Sequence, residues 1–409
     1  MQIRPFHGYR FGIGRERDVS KVVAPPYDQI TPAMQDQLYA MSPSNIVRVT
    51  LARDEPGVDK YRRSAEILEM WQAEGVWTRE EWPALYPYAQ SYTVDGVEVT
   101  RRGFVALGEV SDYGRGVVQP HERTHAGPKQ DRLALLEATR ADIGLLFMLV
   151  SDPAGELGRE TTVAGEPIAE ARDLRGEHHR LWRITDEDVI ARVQTLMAPR
   201  PVIIADGHHR YETAVEYARR HPGAREKLMA FFPIEAAGLT IFPNHRLVHG
   251  VADFSRGRFL DAARPWFDVE PLADPEHYQP RNDAPAVVAG AEAARLRLRE
   301  GAAARLPWPP STSPAWRRLA VSILHEGLLR PLLGITDEML DAKTHVDYTA
   351  DQAEAVRLAR EGRYQAAFLI APTTTDELQA VIRGGELMPQ KSTHFYPKLL
   401  DGLVFHRLP

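Results

Sequence analysis

Between residues 201 and 220 the chain reads PVIIADGHHRYETAVEYARR, an apolar run broken by an aspartate-glycine pair and followed by residues at helical spacing. Pro201 to Ala205 predicts a short buried strand, and Tyr211, Ala214, Val215 and Ala218 predict one face of an amphipathic helix. Asp206 and Gly207 break the strand, so His208, His209 and Arg210 fall where a strand end meets a helix N-terminus. Such a junction attracts anions. The first amides of a helix lack intrahelical partners and carry the positive end of its dipole, and Gly207 lets the backbone approach a phosphate closely. Arg210 adds a fixed charge, while the two histidines add donors whose protonation changes near neutral pH. The plain alternative is a helix capped by Asp206 with ordinary loop histidines.

The chain has 409 residues, enough for two or three domains, and its 44% hydrophobic content suits globular cores. A formal charge of -6 gives no general drive toward nucleic acid or anionic membranes. There are no cysteines, which excludes disulfides, iron–sulfur clusters, thiolate zinc sites and cysteine nucleophiles. The first residues lack the apolar core of a signal peptide and no run reaches transmembrane length, so a cytoplasmic location is expected.

Helical and strand-like patterns alternate throughout, which predicts a mixed α/β (α+β) fold. In VVAPPYDQITPAMQDQL (22–38) a double-proline turn carrying Tyr27 and Asp28 leads into a helix that Thr31 caps and Pro32 begins. Residues 58–75 predict a helix with a glycine stop, and Asp95-Gly96 predicts a hairpin within 84–110. Residues 129–142 read as helix, 143–150 as a buried strand, 153–180 as a polar inserted excursion and 186–198 as helix. Beyond about residue 250 the composition shifts, giving three expected regions: 1–115, 116–250 and 251–409.

Two more polar clusters stand out. In VVQPHERTHAGPKQDRL (117–133), Pro120, Gly127 and Pro128 argue for a loop. Its HERTH letters match the zinc-protease pattern H-E-x-x-H, but the flanking prolines and glycine do not suit the long helix that pattern needs. Glu122 serves better as a base that takes a proton from an alcohol beside a phosphate-binding turn, the alternative being a surface ion pair with Arg123 or Lys129. In MPQKSTHFYPK (388–398), Lys391, Ser392, Thr393 and His394 offer cationic and hydroxyl donors for a carboxylate or phosphate, or else form a covering turn. Asn244, His245 and Arg246 after a predicted strand either line the same cleft or, as is commoner for a histidine-arginine pair at a strand end, are structural.

Taken together, VAPPYD (23–28), RRGF (101–104), PHERT (120–124), PKQDRL (128–133), ADGHHRYETA (205–214) and MPQKSTHFYPK resemble a bacterial family designated domain of unknown function 1015. The order PHE, DGHHR, KST also resembles that of the free-serine kinases of the ParB/sulfiredoxin-like superfamily. That resemblance implies a ParB/sulfiredoxin-like nucleotide-binding core with N- and C-terminal α/β extensions, and ATP or ADP with Mg2+ as cofactors. By motif position it assigns Glu122 and Asp206 to catalysis, His121, Gly207, His208, His209 and Arg210 to the nucleotide, and Lys391, Ser392, Thr393 and His394 to the substrate. The expected function is transfer of a phosphoryl group to free L-serine or a similar hydroxylated metabolite. A ParB-like nucleotide-hydrolysing switch is the alternative, and a zinc hydrolase stands third. The expected partners are a nucleotide and a small molecule, with neither nucleic acid nor membrane.

Overall fold

A computed structural model describes residues 1–12, 18–122 and 127–409, with only the backbone described at 127 and 128. The fold is mixed α/β and divides into two compact units, both discontinuous in sequence. One comprises Met1–Pro120, Thr124–Thr240 and Pro397–Pro409; the other comprises His121–Arg123 and Ile241–Tyr396.

The first unit is built on a nine-stranded mixed sheet. Its strand order is Val118–Gln119, Val202–Asp206, Leu146–Val150, Glu226–Pro233, Val97–Glu109, Tyr86–Val94, His178–Leu181 and Ala169–Arg172, with Ile3–Arg4 added beside Val97–Glu109. Two pairings are parallel, Val202–Asp206 with Val118–Gln119 and Glu226–Pro233 with Leu146–Val150. The central strands are apolar on both faces because each face is covered, as Leu146, Met148, Ile204, Phe104, Phe231 and Tyr211 show in one core. The long hairpin turns at Asp95 and Gly96, whose φ values of 49° and 79° are those a two-residue turn requires. Helix Pro32–Met41 begins as its sequence predicts, with Thr31 accepting from the Met34 amide at 3.3 Å. Helices Lys60–Ala73 and Glu187–Met197 are capped by Asp59 and Asp186.

Three local expectations need correction. Helix Gly127–Thr139 starts inside the stretch expected to be a loop, since a proline in the first turn is compatible with a helix. Within 153–180, Ala169–Arg172 and most of a second strand belong to the central sheet, because alternate small and apolar residues such as Ala169, Ala171 and Leu181 face its core. Helix His208–Arg220 includes both histidines in its first turn, and its N-cap is Gly207, with no side-chain cap from Asp206.

The second unit carries an antiparallel six-stranded sheet in the order Phe267–Pro271, Glu292–Leu298, Ala286–Ala289, Ala366–Leu369, His245–Val248 and Val346–Thr349. Helix Gln352–Arg360 packs Ala355, Val356 and Ala359 onto Leu247, Val288 and Ala367. Among the described residues no helix is long and apolar enough to cross a membrane.

Candidate functional site

In the first unit the strand Val202–Asp206 turns into the helix His208–Arg220 through Gly207, whose φ of 99° is strained for any residue with a side chain. A Cβ there would also lie 2.6 Å from Leu146 Cδ2, so backbone and packing both demand glycine. Asp206 at the strand end is held by two cations: Lys398 Nζ at 3.2 Å on one oxygen and Arg210 Nη2 at 3.0 Å on the other. Burial pushes the Asp206 carboxyl up, but Lys398, Arg210 and His208 outweigh it and hold the group below the usual carboxylate range. Arg210 is itself fixed by a 2.6 Å bond to the Leu145 carbonyl. His208 and His209 are half-buried in the first helical turn.

The C-terminal segment reaches this turn because buried residues of the long hairpin grip it. Gln90 donates to the Lys398 carbonyl at 2.9 Å and Arg101 to the Pro397 carbonyl at 2.7 Å. Arg101 is fully buried, with its guanidinium 4.4 Å from the centre of the Phe147 ring. Beyond Lys398, Asp401 is buried near Arg210, Lys227, Arg132 and Asp28. Lys227 binds Asp142 and the Gly144 carbonyl, the latter at 2.7 Å. The Tyr27 ring lies under Arg132 at 4.0 Å, and both it and Asp28 act electrostatically on Arg210.

The second unit assembles the other predicted residues. Glu122 accepts from the amides of Lys391 at 3.3 Å, Ser392 at 3.0 Å and Thr393 at 3.2 Å, and from Thr393 Oγ1 at 3.3 Å. His121 is only 1% exposed, with Nε2 2.8 Å from Thr393 Oγ1. Lys391 takes a φ of 57°, which curls the successive amides toward one carboxylate. The turn is pinned from behind: Asn244 donates to the carbonyls of Lys391 and Thr393, both at 3.1 Å, Arg246 to that of Lys391 at 3.1 Å, and Thr373 to that of Ser392 at 2.9 Å. Asn244 and Arg246 are therefore structural, as their sequence context suggests. Burial pushes the Arg246 guanidinium down to about 10. His394 opens the short strand His394–Tyr396.

The predicted residues thus form two groups. Asp206, Gly207, His208, His209 and Arg210 belong to the first unit; His121, Glu122, Lys391, Ser392, Thr393 and His394 belong to the second. Sequence reasoning passed over Lys398, Asp401, Lys227 and Asp142. A usable signal existed for Lys227, a lone cation in the strand EKLMAFFP. Among the described residues no three His, Asp or Glu side chains gather as a metal-binding set, and His125 of the HERTH pattern lies outside the described residues. Both oxygens of Asp206 are engaged by cations, so the turn does not fit a resident magnesium ion.

A family model described as "Protein of unknown function (DUF1015)" matches residues 3–322. No curated protein matches the sequence. Among solved structures, a conserved hypothetical protein from Pyrococcus furiosus is 13% identical with a TM-score of 0.37, the alignment covering 70% of this chain and 90% of that one. A free serine kinase in complex with AMP is 12% identical with a TM-score of 0.37, covering 70% and 89%. SbnI from Staphylococcus aureus, truncated at its C-terminus, is 12% identical with a TM-score of 0.37, covering 73% and 85%.

Proposed function

The chain belongs to the DUF1015 family, and we propose that it is a small-molecule phosphotransferase that moves a phosphoryl group from ATP or ADP to the hydroxyl of L-serine or a closely similar metabolite. The observation that carries this reading is the Asp206-Gly207 turn. A thirteen-residue helix opens there without a side-chain cap, flanked by Arg210 and Lys398. The positive end of a helix dipole and two cations suit the phosphates of a nucleotide. Asp206 keeps those cations in place until the phosphates arrive, and magnesium accompanies the nucleotide as part of the substrate rather than as a bound cofactor.

Glu122 is the base. In the transfer, the acceptor oxygen bonds to phosphorus, the bridging phosphorus–oxygen bond of the donor breaks, and Glu122 takes the hydroxyl proton. Its oxygens are held by the amides of 391–393, which fix its orientation. Part of that hydrogen bonding must yield when the proton arrives, so the turn loosens during turnover. The cation and hydroxyls of Lys391, Ser392 and Thr393 then serve the acceptor's carboxylate. The motif order PHE, DGHHR, KST supports serine as the acceptor.

Purified protein incubated with labelled ATP or ADP and a panel of amino acids tests this reading. Phosphoserine is expected, with Glu122→Gln lowering its formation by about 100-fold, the scale of a lost general base, while nucleotide binding persists. Asp206→Asn should weaken nucleotide binding. Nucleotide hydrolysis without any phosphorylated acceptor would replace the kinase reading by that of a nucleotide-dependent switch.

A further inference from the structure

The face of the central sheet away from the Pro397 carbonyl carries a cavity that the mechanism above does not use. Successive residues of a strand point to opposite faces, so Arg101 reaches Pro397 on one side while Arg102 and Phe104 lie on the other. Between that second face and the short helix Glu156–Glu160, with the residues after it, lies a cavity of about 280 Å3, near the lower end of the range for small-molecule sites. Gly158 lines it, and a Cβ built there would meet no atom within 4 Å.

Its wall is mostly apolar, with Phe104, Leu157, Val163 and Trp182. The polar side chains among them are already satisfied within the fold. Trp182 Nε1 donates to the Gly165 carbonyl at 2.9 Å, Thr161 and Thr162 donate to the carbonyls of Leu157 and Gly158, both at 2.7 Å, and the Tyr88 hydroxyl meets His179 Nδ1 at 2.6 Å. Arg102 and Arg159 remain. Both line the cavity and both are exposed, which sets them at its mouth, and among the described residues neither has a carboxylate within ion-pair distance.

No acid lines the cavity, and the acids that flank its wall in sequence are directed elsewhere. Glu156 pairs with Arg200 at 2.9 Å, Glu160 with Arg192 at 2.9 Å, and Glu235 accepts from Ser151 at 2.7 Å and from the Asp152 amide at 2.8 Å. A third cation adds to the excess. Arg102, Ala89 and Arg180 are cross-strand partners in one row, and the Arg180 guanidinium lies 5.8 Å from the Trp182 ring. An apolar chamber with guanidinium forks and no acid at its rim suits a carboxylate attached to an apolar body.

We propose that this cavity binds a small monocarboxylate whose apolar body lies against Phe104, Leu157 and Trp182 and whose carboxylate meets Arg102 and Arg159. The site stands apart from the phosphotransferase reading, which needs no ligand there.

Calorimetric titration of the full chain with phenylacetate, hexanoate and their neutral amides tests it. At least one of the two acids should bind in the millimolar range or tighter, and at least about tenfold more tightly than its own amide, the scale of a charge-assisted pair. Arg102→Gln combined with Arg159→Gln should bring that ratio close to one. Gly158→Leu keeps both cations, places a side chain in the open space and should weaken the acid by a similar factor; it decides the matter if the double variant does not fold. ADP affinity should be unchanged in every variant. Equal binding of acid and amide, binding of neither, or full affinity in Gly158→Leu overturns the inference. Displacement of the acid by L-serine would move it to the acceptor pocket, and displacement by inorganic phosphate would reduce the arginines to a general anion contact; either result also overturns it.

Discussion

At the scale of single residues, buried charge decides how this chain responds to pH. Burial raises the Asp401 carboxyl from an ordinary 3.8 to about 7, against the opposing pull of Arg210, Lys227 and Arg132. A carboxyl raised in the folded state holds its proton more tightly there than in the unfolded chain. Its contribution is therefore fully present below about pH 4 and is lost as the pH rises through about 7, a change of up to about 4 kcal/mol. Chemical denaturation from pH 5 to 8 should show stability falling in the wild type, and falling by less in Asp401→Asn, which should be the more stable protein at pH 8. Equal slopes for the two proteins would mean that Asp401 is ionised throughout. Asp206 shows the reverse balance, since Lys398 and Arg210 outweigh its burial, and no reading of its neighbours in sequence reveals Lys398.

At the scale of elements, local chemistry was largely legible. The Asp95-Gly96 hairpin, the cap at Thr31 with Pro32, the helix Glu187–Met197 and the strand before DGHHR follow from residues within a few positions of one another. The turn at 389–393 is different, because its conformation depends on Glu122, some 270 positions away in sequence. Removing that carboxylate with Glu122→Ala leaves three amides without their acceptor and should cost about 2–4 kcal/mol. Hydrogen exchange at Lys391, Ser392 and Thr393 should accelerate well above that of helix Thr375–Arg383. Glu122→Gln retains one acceptor oxygen and should protect the turn to an intermediate degree. Unchanged exchange in the alanine variant would show that Asn244, Arg246 and Thr373 suffice to hold the turn.

For the whole molecule, the last thirteen residues belong to the unit that the first residues begin. Leu399, Leu400, Leu403, Val404 and Phe405 are all buried, Phe405 against Trp77 and Tyr9, and His406–Arg407 pairs with Ala141–Asp142. Each such side chain contributes roughly 1.5–3 kcal/mol, a sum comparable with the entire stability of a domain. Truncation after Tyr396 should therefore leave residues 1–120 open to limited proteolysis, and a protected fragment there would refute this. The sequence by itself determined many of the local elements, the absence of thiol chemistry, the family and three motif clusters, because periodicity, turn residues and side-chain identity act over short spans of chain. Tertiary structure alone decided that His121 and Glu122 share one unit with KST while DGHHR and Lys398 share another, and that Asp401 Oδ1 is buried with no hydrogen-bond partner among the described residues. Those are outcomes of which distant segments close over one another, and a linear pattern does not encode which buried charge will find its partner.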